Sequence, residues 1–240
     1  STPGPVAVHR GSAIGQVPDG GRSFEGVYEQ PYLSHSPMEP MNCLVRMNAD
    51  GCEIWNGEQW HTADQAAVAA ELGLKPAQVR IHQVYAGGSF GRRANPRSDY
   101  VRASARILKA ARAQGVDAPI KLVWMREDDT QAMQYRPMTV HRVHAATDAK
   151  GVLVSWDHTV VGQSFFKRSS PTAIDSSLVE GASDGHYAIP NYRVQQQIPD
   201  DVAVPVAGLR SVGHTHSAFV VETRMDGIAT STGQDPYAFR

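Results

Sequence analysis

The sequence predicts an α+β fold arranged in one or two lobes. Two long segments carry apolar stripes at helical spacing, several others alternate as β-strands do, and no internal repeat interrupts them. With 240 residues, of which 41% are hydrophobic and 20% charged, the chain can bury a substantial core. The fold class follows from these observations, while each element depends on local signals.

The first part of the chain reads as a linker followed by strands. Residues 1–22 are rich in Pro, Gly and Ser, which predicts a linker or a truncated domain edge. Residues 23–35 alternate as a strand does. Residues 41–47 and 52–55 are typical of a hairpin, because an Asp-Gly turn separates them.

The two cysteines flank that turn. A two-residue hairpin places Cys52 opposite Met47 and leaves Cys43 several positions along its strand, which disfavours a disulfide. Both are therefore expected to be buried thiols. Without histidine partners at metal spacing, they do not indicate structural zinc.

Capping signals and apolar stripes predict the helices. A capping box at residues 62–65 and a stop at Gly73 bound a first helix, and stripes predict two more over 98–114 and 217–229. Further strands are predicted over residues 78–84, 120–125, 139–145, 152–161 and 192–197, with a long loop over 163–185.

The two ends suggest a piece of a longer protein. The chain begins at Ser1 rather than Met. Asp235 and Pro236 have the form of an N-cap followed by proline at the first helical position, four residues before the sequence ends. We therefore expect the native protein to continue beyond Arg240.

Charge and hydropathy argue against two classes of protein. The net charge is −1, from 23 basic and 24 acidic residues, so a global basic field that would attract nucleic acid is missing. No apolar run approaches the length of a membrane span, and no targeting segment is visible. We expect neither nucleic-acid binding nor a direct membrane span.

Residues 84–93 (VYAGGSFGRR) form the most informative stretch, between a predicted strand and a predicted helix. Glycine is used where backbone takes a positive φ or approaches another surface closely, so this loop suggests backbone pressed against a bound molecule. An ordinary tight turn with a bulge is the alternative. The stretch has no G-x-G-x-x-G pattern and no Lys-Ser/Thr after its last glycine, which excludes a P-loop.

Histidine pairs do not predict a metal site. His214 and His216 would share one face of a strand, and His141 and His144 lie on one strand-like segment, but no Asp or Glu stands at plausible spacing. We expect surface or loop histidines and no metal held by side chains. The mainly acidic run at 126–129 is likewise expected to be a solvated strand end.

Five segments occur in an order that carries a family resemblance. They read YLSHSPMEPMNC (32–43), EIWNGEQ (53–59), GGSFGRR (87–93), IPNYR (189–193) and LRSVG (209–213). From about residue 23 to 240, the chain resembles the molybdopterin-binding subunit of the xanthine dehydrogenase superfamily. It looks most like the bacterial isoquinoline 1-oxidoreductase β subunit and its aldehyde-oxidising relatives. Each motif is weak alone, but five in this order are specific.

The resemblance implies a fold and a reaction. It implies mixed sheets with packed helices, forming one or two lobes of a molybdopterin-binding domain over residues 23–240. Members of this family are molybdenum hydroxylases, so the expected activity is oxidation of an N-heteroaromatic or aldehyde substrate with water as the oxygen source. The implied cofactor is molybdopterin in its cytosine dinucleotide form, with molybdenum held by the pterin and not by a protein side chain.

The resemblance also implies partners and a compartment. Electrons would leave through iron–sulfur clusters on a partner α subunit, and a cytochrome c subunit is a further expected partner. Because the branch is often exported, we expect the periplasm, with the cytoplasm as the alternative.

Site residues are carried over by position. Gln59 matches the family glutamine that hydrogen-bonds a ligand of the metal, and Phe90 matches a loop residue beside the metal. Arg210 matches the arginine of a second loop near substrate or cofactor, where a buried arginine can hold an anion. Cofactor binding is assigned to Gly87, Gly88, Ser89, Phe90, Gly91, Arg92 and Arg93.

The same residues allow structural interpretations. Gln59 can cap a turn, and Phe90 can lie in the core as phenylalanines usually do. Arg92 and Arg93 can be a solvated surface pair, although a dinucleotide pyrophosphate nearby would suit them.

Two departures from the family pattern limit the prediction. The family's catalytic glutamate lies in a downstream Gly-x-Gly-Glu segment that has no match here, so this segment alone is expected to be inactive. Val179-Glu180-Gly181-Ala182 stands where purine-oxidising members carry an arginine, which argues against purine substrates.

Two other hypotheses compete with a molybdenum hydroxylase. The chain could be a non-catalytic ligand- or protein-binding module on the same fold. It could also bind nucleotide phosphates through the glycine loop, which the missing Lys-Ser/Thr disfavours.

Overall fold

The structure is a computed structural model that describes residues 4–132, 134–166, 173–199 and 201–240. The chain divides into two compact units. Unit 1 comprises Ser1–Leu33, Arg136–Val206 and Arg210–Arg240, and unit 2 comprises Ser34–Tyr135 and Ala207–Leu209.

In chain order the strands are β1 (Val6–Arg10), β2 (Arg22–Gln30), β3 (Asn42–Met47), β4 (Cys52–Asn56), β5 (Val79–Gln83), β6 (Ile120–Val123), β7 (Thr139–Thr147), β8 (Leu153–Gly162) and β9 (Asn191–Gln197). The helices are α1 (His61–Leu72), α2 (Asp99–Ala113), α3 (Arg126–Gln131), α4 (Ser176–Val179), α5 (His214–Ser231) and α6 (Pro236–Phe239). The α+β prediction with mixed sheets is confirmed.

Unit 1 is built on a sheet in the order β1-β9-β8-β7-β2, in which β8 and β9 pair in parallel and the other neighbours are antiparallel. The apolar stripe of α5 joins the core of this unit, as its sequence period predicts. The core includes Val143, Trp156, Val160, Val194, Val220, Met225 and Ile228. Shortly after β2, Leu33 and Arg136 form an isolated backbone bridge. The amide of Leu33 donates to the carbonyl of Arg136 at 3.4 Å, and the amide of Arg136 donates to the carbonyl of Leu33 at 2.9 Å.

Unit 2 has a smaller sheet in the order β5-β4-β3-β6. The chain leaves β4, crosses over through α1 and returns as β5, which is why β4 and β5 pair in parallel. Helices α1 and α2 pack against each other and contribute to one core with the strands. The loop after β5 lies next to the end of β4, because the amide of Val84 donates to the carbonyl of Asn56 at 3.1 Å.

The β3–β4 hairpin confirms the prediction for the cysteines. Met47 pairs with Cys52, and both Cys43 and Cys52 are free and buried. The Asn48 side chain accepts from the amides of Asp50 and Gly51 and so closes the turn.

Two predictions of local structure are wrong, and a third is incomplete. Residues 6–10, in the segment expected to be a linker or a truncated domain edge, form the edge strand β1, whose partner β9 is remote in sequence and supplies the hydrogen bonds that composition does not reveal. Helix α1 begins at His61, and its N-cap residue is Trp60, whose side chain makes no capping hydrogen bond. The capping box predicted at 62–65 therefore does not form. The acidic run at 126–129 is the start of α3, and its Asp129 is buried.

The C-terminal elements partly match the prediction. Helix α5 contains the predicted 217–229 segment but starts earlier, so His214 and His216 lie on a helix and not on a strand. Asp235 caps the short α6, accepting from the amide of Ala238 at 2.9 Å. The expected loop over 163–185 contains α4, and its residues 167–172 lie outside the described residues.

Two absences apply to the described part of the chain. There, no helix has both the length and the apolar content needed to cross a bilayer. The same residues contain no group of three or more His, Cys, Asp or Glu side chains arranged to hold a metal ion.

Candidate functional site

The glycine loop over residues 84–93 follows β5 and has unusual backbone conformations. Gly88 and Gly91 adopt φ of 102° and 103°, and Phe90 between them adopts 59°. At Gly91 a Cβ would lie 2.3 Å from the carbonyl oxygen of Gly208, so a larger residue does not fit there. A positive φ at phenylalanine is strained, and such strain persists where surrounding structure fixes it, often at functional sites.

The loop presents backbone donors that are open to a ligand. Among the described residues, the amides of Gly88, Ser89 and Gly91 have no acceptor. The neighbouring amide of Gly87 is different, because it donates to Glu39 Oε2 at 2.6 Å. These three donors, which lie within four residues of one loop, can hydrogen-bond a polar or anionic ligand.

Arg93 holds the loop from behind. Its side chain is 1% exposed. Its guanidinium donates to the carbonyl of Gly88 at 3.3 Å, to Asn56 Oδ1 at 3.1 Å and to the carbonyl of Gly57 at 3.2 Å. These bonds connect the glycine loop to the end of β4, so the buried Arg93 side chain stabilises the conformation of the loop.

Glu39 completes this anchor. Its carboxylate accepts from the amide of Gly87 and, at 3.2 Å, from Arg93 Nη2. Burial acts to raise the pKa of Glu39, but hydrogen bonds from Gly87 and Asn42 and the charge of Arg93 outweigh it, and the pKa lies below its usual value. Glu39 is therefore ionised at neutral pH.

Arg92 is also internal and pairs with two carboxylates. Its Nε lies 3.1 Å from Asp129 Oδ1, and both side chains are 1% exposed. Its two terminal nitrogens lie 2.9 and 3.3 Å from the oxygens of Asp99, the first residue of α2. The interpretation of Arg92 and Arg93 as a solvated surface pair is therefore wrong, and contact of either with a cofactor stays a prediction.

Gln59 lies beside the loop. It is exposed, and its Oε1 accepts a hydrogen bond from the Ser89 hydroxyl. Phe90 is 40% exposed, so it is not a core residue. The structure therefore brings Gln59 together with the predicted loop within unit 2, where Tyr85 is fully exposed as well.

Arg210 belongs to unit 1 and opens its last segment. Its side chain is exposed, which contradicts the expected buried arginine. The two residues after it, Ser211 and Val212, have φ of 68° and 45°, a conformation that is rare for a β-branched residue. The amide of Gly213 donates to Glu180 Oε1 at 2.7 Å, which anchors this second strained loop.

Several residues behind the site were missed in the sequence. Asn56 connects Arg93 to Glu58, and Glu58 meets the buried Asp64 of α1. The signal for Asp64 was available, since an aspartate among the apolar residues of α1 has to be paired or protonated. The partner could not be read, because helical spacing does not show what lies behind the helix.

The sequence matches the molybdopterin cofactor-binding domain over residues 7–240. The chain belongs to this family. Among curated relatives, it is 30% identical to the isoquinoline 1-oxidoreductase subunit beta of Brevundimonas diminuta over 227 residues, covering 91% of this chain and 28% of the relative. It is 28% identical to the membrane-bound aldehyde dehydrogenase [pyrroloquinoline-quinone] of Gluconacetobacter polyoxogenes, covering 91% and 29%.

Solved structures support the fold of this molybdopterin cofactor-binding domain. The aldehyde oxidoreductase from Desulfovibrio gigas superposes with a TM-score of 0.73 at 22% identity, covering 97% of this chain and 25% of that one. The quinoline 2-oxidoreductase from Pseudomonas putida 86 superposes with a TM-score of 0.72 at 17% identity, covering 91% and 28%. The chain thus spans between a quarter and a third of the length of these proteins.

Proposed function

We propose that this chain forms one side of the cofactor site of a molybdenum hydroxylase that oxidises an N-heteroaromatic or aldehyde substrate with water as oxygen source. The single observation that carries the proposal is the strained glycine loop, whose amides at Gly88, Ser89 and Gly91 lack acceptors among the described residues. Family membership identifies the ligand class for which such a loop is suited.

The residues present fit a pterin cofactor. A pterin is a flat group rich in hydrogen-bonding atoms, and the exposed loop offers backbone donors where no side chain intervenes. The buried guanidinium of Arg93 and the carboxylate of Glu39 hold this loop in one conformation. A preformed loop binds with a smaller entropy cost than one that must be ordered.

The bound cofactor would supply the redox chemistry, and this chain would orient the reactants. Gln59 would donate its side-chain amide to a polar ligand of the site, since its Oε1 is already engaged by Ser89. Phe90, held at a positive φ, would present its ring beside the reacting centre. Arg210, with an exposed guanidinium, would attract an anionic part of substrate or cofactor.

Finer features of the proposal come from the family resemblance of the sequence. We propose the cytosine dinucleotide form of the cofactor, an iron–sulfur α subunit and a cytochrome c subunit as electron carriers, and the periplasm as the compartment. The relatives' names support a subunit organisation, because the first curated relative is itself a subunit beta.

Replacing Gly88 tests the proposal in the full-length enzyme. Gly88→Val should abolish cofactor retention, because a β-branched side chain is strained at φ of 102° and its Cβ would press on Pro37 and the Phe90 ring, at 3.3 and 3.4 Å, and so displace the loop. The matched control is Gly115→Val, which has a φ of 83°, follows α2 and faces open space.

Metal analysis of both purified variants gives the answer. We expect molybdenum to be lost from Gly88→Val and kept by Gly115→Val. Normal molybdenum in a folded Gly88→Val protein would mean that this loop does not contact the cofactor.

The chain alone should oxidise nothing, even when molybdenum cofactor is offered. General-base assistance contributes about 10²–10⁴-fold, and the family's base is expected outside these residues. The assay is turnover of isoquinoline, quinoline and benzaldehyde with a dye acceptor, beside the full-length enzyme. A comparable rate for the chain alone would place the base within it.

A further inference from the structure

A buried pair of carboxyl groups lies next to Gln59. Glu58 is 7% exposed, and Asp64, in the first turn of α1, is 2% exposed. Glu58 raises the pKa of Asp64 through a hydrogen bond and through its charge, which indicates that the two carboxyl groups are neighbours. One oxygen of each, Glu58 Oε2 and Asp64 Oδ2, has no donor among the described residues.

These observations have one economical explanation. Two ionised carboxylates are acceptors only, so they cannot hydrogen-bond each other. A single proton between them satisfies both oxygens and leaves one negative charge in place of two. Asp pairs that share a proton follow the same electrostatics.

The neighbouring hydrogen bonds decide which residue donates. Arg93 Nη1 donates to Asn56 Oδ1 at 3.1 Å, which turns the Asn56 amide nitrogen toward Glu58 Oε1 at 2.9 Å. Glu58 therefore accepts at Oε1 from an amide that the Arg93 cation polarises, and it is less deeply buried than Asp64, at 7% against 2% exposure. Both features favour the negative charge on Glu58, which makes Asp64 the donor.

We propose that Asp64 stays protonated at neutral pH and, by donating to the Glu58 carboxylate, is a positioning residue for the turn at residues 57–59. The idea that this turn presents Gln59 to a ligand rests on the proposed function, whereas the shared proton does not depend on that function. The Glu58 backbone fits this role, since its amide donates to Gln83 Oε1 at 3.2 Å and so ties the turn to β5.

The electrostatic surroundings agree with a protonated Asp64. Burial raises the pKa of Asp64 to about 9, and the hydrogen bond and charge of Glu58 act in the same direction, as does the charge of Asp99 on α2. A hydrogen bond with Ser98 acts against the increase. No direct cation partner of Asp64 is present among the described residues.

Two further titratable groups that face the pair are neutral. From β3, burial raises the pKa of the Cys43 thiol to about 12, and the charges of Glu58 and Asp64 contribute. From α2, burial raises the pKa of the Tyr100 phenol, again with contributions from the pair. The nearest positive charge in the network is Arg93, which reaches Glu58 through Asn56.

Infrared spectroscopy of the full 240-residue chain tests the shared proton without any cofactor. The wild-type chain at pH 7 should show the carbonyl band of a protonated carboxylic acid, and Asp64→Asn should abolish it. The control is Asp117→Asn, whose carboxylate is 83% exposed and whose loss should leave the band unchanged. A missing band in the wild type, or a band that survives in Asp64→Asn, would overturn the proposal.

Hydrogen exchange tests the positioning role. An asparagine amide can replace Asp64 as donor to Glu58, whereas leucine of similar shape cannot. Exchange at the amides of Glu58 and Gln59 should be about tenfold faster in Asp64→Leu and unchanged in Asp64→Asn. Equal exchange in the two variants would remove the positioning role.

The two proposals fail separately. These measurements use the chain without molybdenum, so a negative result leaves the cofactor proposal standing. Loss of the cofactor proposal, through normal molybdenum content in Gly88→Val, leaves the proton between Glu58 and Asp64 untouched. In the holoenzyme the rate should fall in Asp64→Leu and recover in Asp64→Asn.

Discussion

The two units bury polar side chains in different ways. Unit 2 buries charge and pairs it, as Arg92 and Asp129 show with 1% exposure each. Unit 1 buries a cluster of histidines, in which His141 Nδ1 and His158 Nε2 lie 2.8 Å apart and the rings of His141 and His216 are 4.9 Å apart. Burial lowers the pKa of these histidines, to about 3 for His158 and about 4 for His216, so the cluster is neutral at pH 7.

The difference teaches how each unit meets the cost of desolvation. A buried ion loses its hydration and needs a partner, whereas a buried neutral imidazole needs only hydrogen bonds. Unit 1 does contain a bidentate ion pair between Arg193 and Asp157, but these side chains are 32% and 17% exposed. Unit 1 also buries Arg136 and Asp175, at 7% and 6% exposure, which bond to backbone and hydroxyl groups. In unit 2 the buried arginines behind the strained loop pair with carboxylates and fix the backbone.

The largest expected effect is the loss of the buried pair in unit 2. Arg92→Met should lower the free energy of unfolding by about 3–5 kcal/mol, because the buried Asp129 would lose its closer, buried partner and keep only the partly exposed Arg126 at 3.5 Å. Denaturant unfolding measures the change, and hydrogen exchange in α2 and α3 locates it. A decrease below about 1 kcal/mol would show that water reaches Asp129.

Gln59→Ala tests whether an exposed residue of unit 2 affects turnover without affecting stability, unlike the buried residues behind it. In the full-length enzyme, turnover should fall by about 10²-fold, because one preorganised donor is lost. The free energy of unfolding and the molybdenum content should stay unchanged, since the side chain is exposed. An unchanged rate at saturating substrate would leave Gln59 only its structural bond to Ser89.

The histidine cluster should make unit 1 sensitive to acid. In the unfolded chain these histidines bind protons below a pH of about 6.5, whereas in the folded chain they stay neutral until the pH falls toward their lowered pKa values. The free energy of unfolding present above a pH of about 6.5 is therefore lost on acidification. His158→Gln should reduce the slope of stability against pH by about 1.4 kcal/mol per unit between pH 4 and 6.

The control for this slope is His186→Gln, because His186 is exposed. It should leave the slope of the wild type unchanged. Equal slopes in the wild type and His158→Gln would mean that the buried cluster is already charged in the folded chain.

The smallest effect is expected for the half-exposed pair in unit 1. Arg193→Met should cost no more than about 1 kcal/mol, because Asp157 regains water when its partner is removed. The same unfolding experiment as for Arg92→Met provides the measurement. A decrease in the free energy of unfolding as large as that of Arg92→Met would contradict the difference between the two units.

Local patterns predicted what short-range chemistry determines. The hairpin register around the Asp-Gly turn, the helix over 98–114 and the free cysteines follow from neighbours in sequence. Strand β1 could not be recognised, since its partner β9 is remote in sequence. The composition of the glycine loop predicted its positive-φ backbone, whereas its role as a binding site stays a prediction.

The support of that loop could not be predicted. Arg92 and Arg93 read as surface residues, because burial of an arginine depends on carboxylates that tertiary structure brings near. The expectation of surface or loop histidines is wrong for His141 and His216, which are buried. The contact of His141 with His158 could not be predicted, since it depends on the β7–β8 register.

The Leu33–Arg136 bridge has a consequence for the order of folding. Strands β2 and β7 pair directly, yet the chain between their joined ends is roughly 100 residues long, so early pairing would carry a large loop-closure entropy. The β7–β8 hairpin closes with a short turn and carries little of this cost. We expect unit 2 to collapse on its local contacts first, which shortens the loop and lets β2 add last to its sheet. Pulse-labelling hydrogen exchange should therefore show protection in α2 before β2.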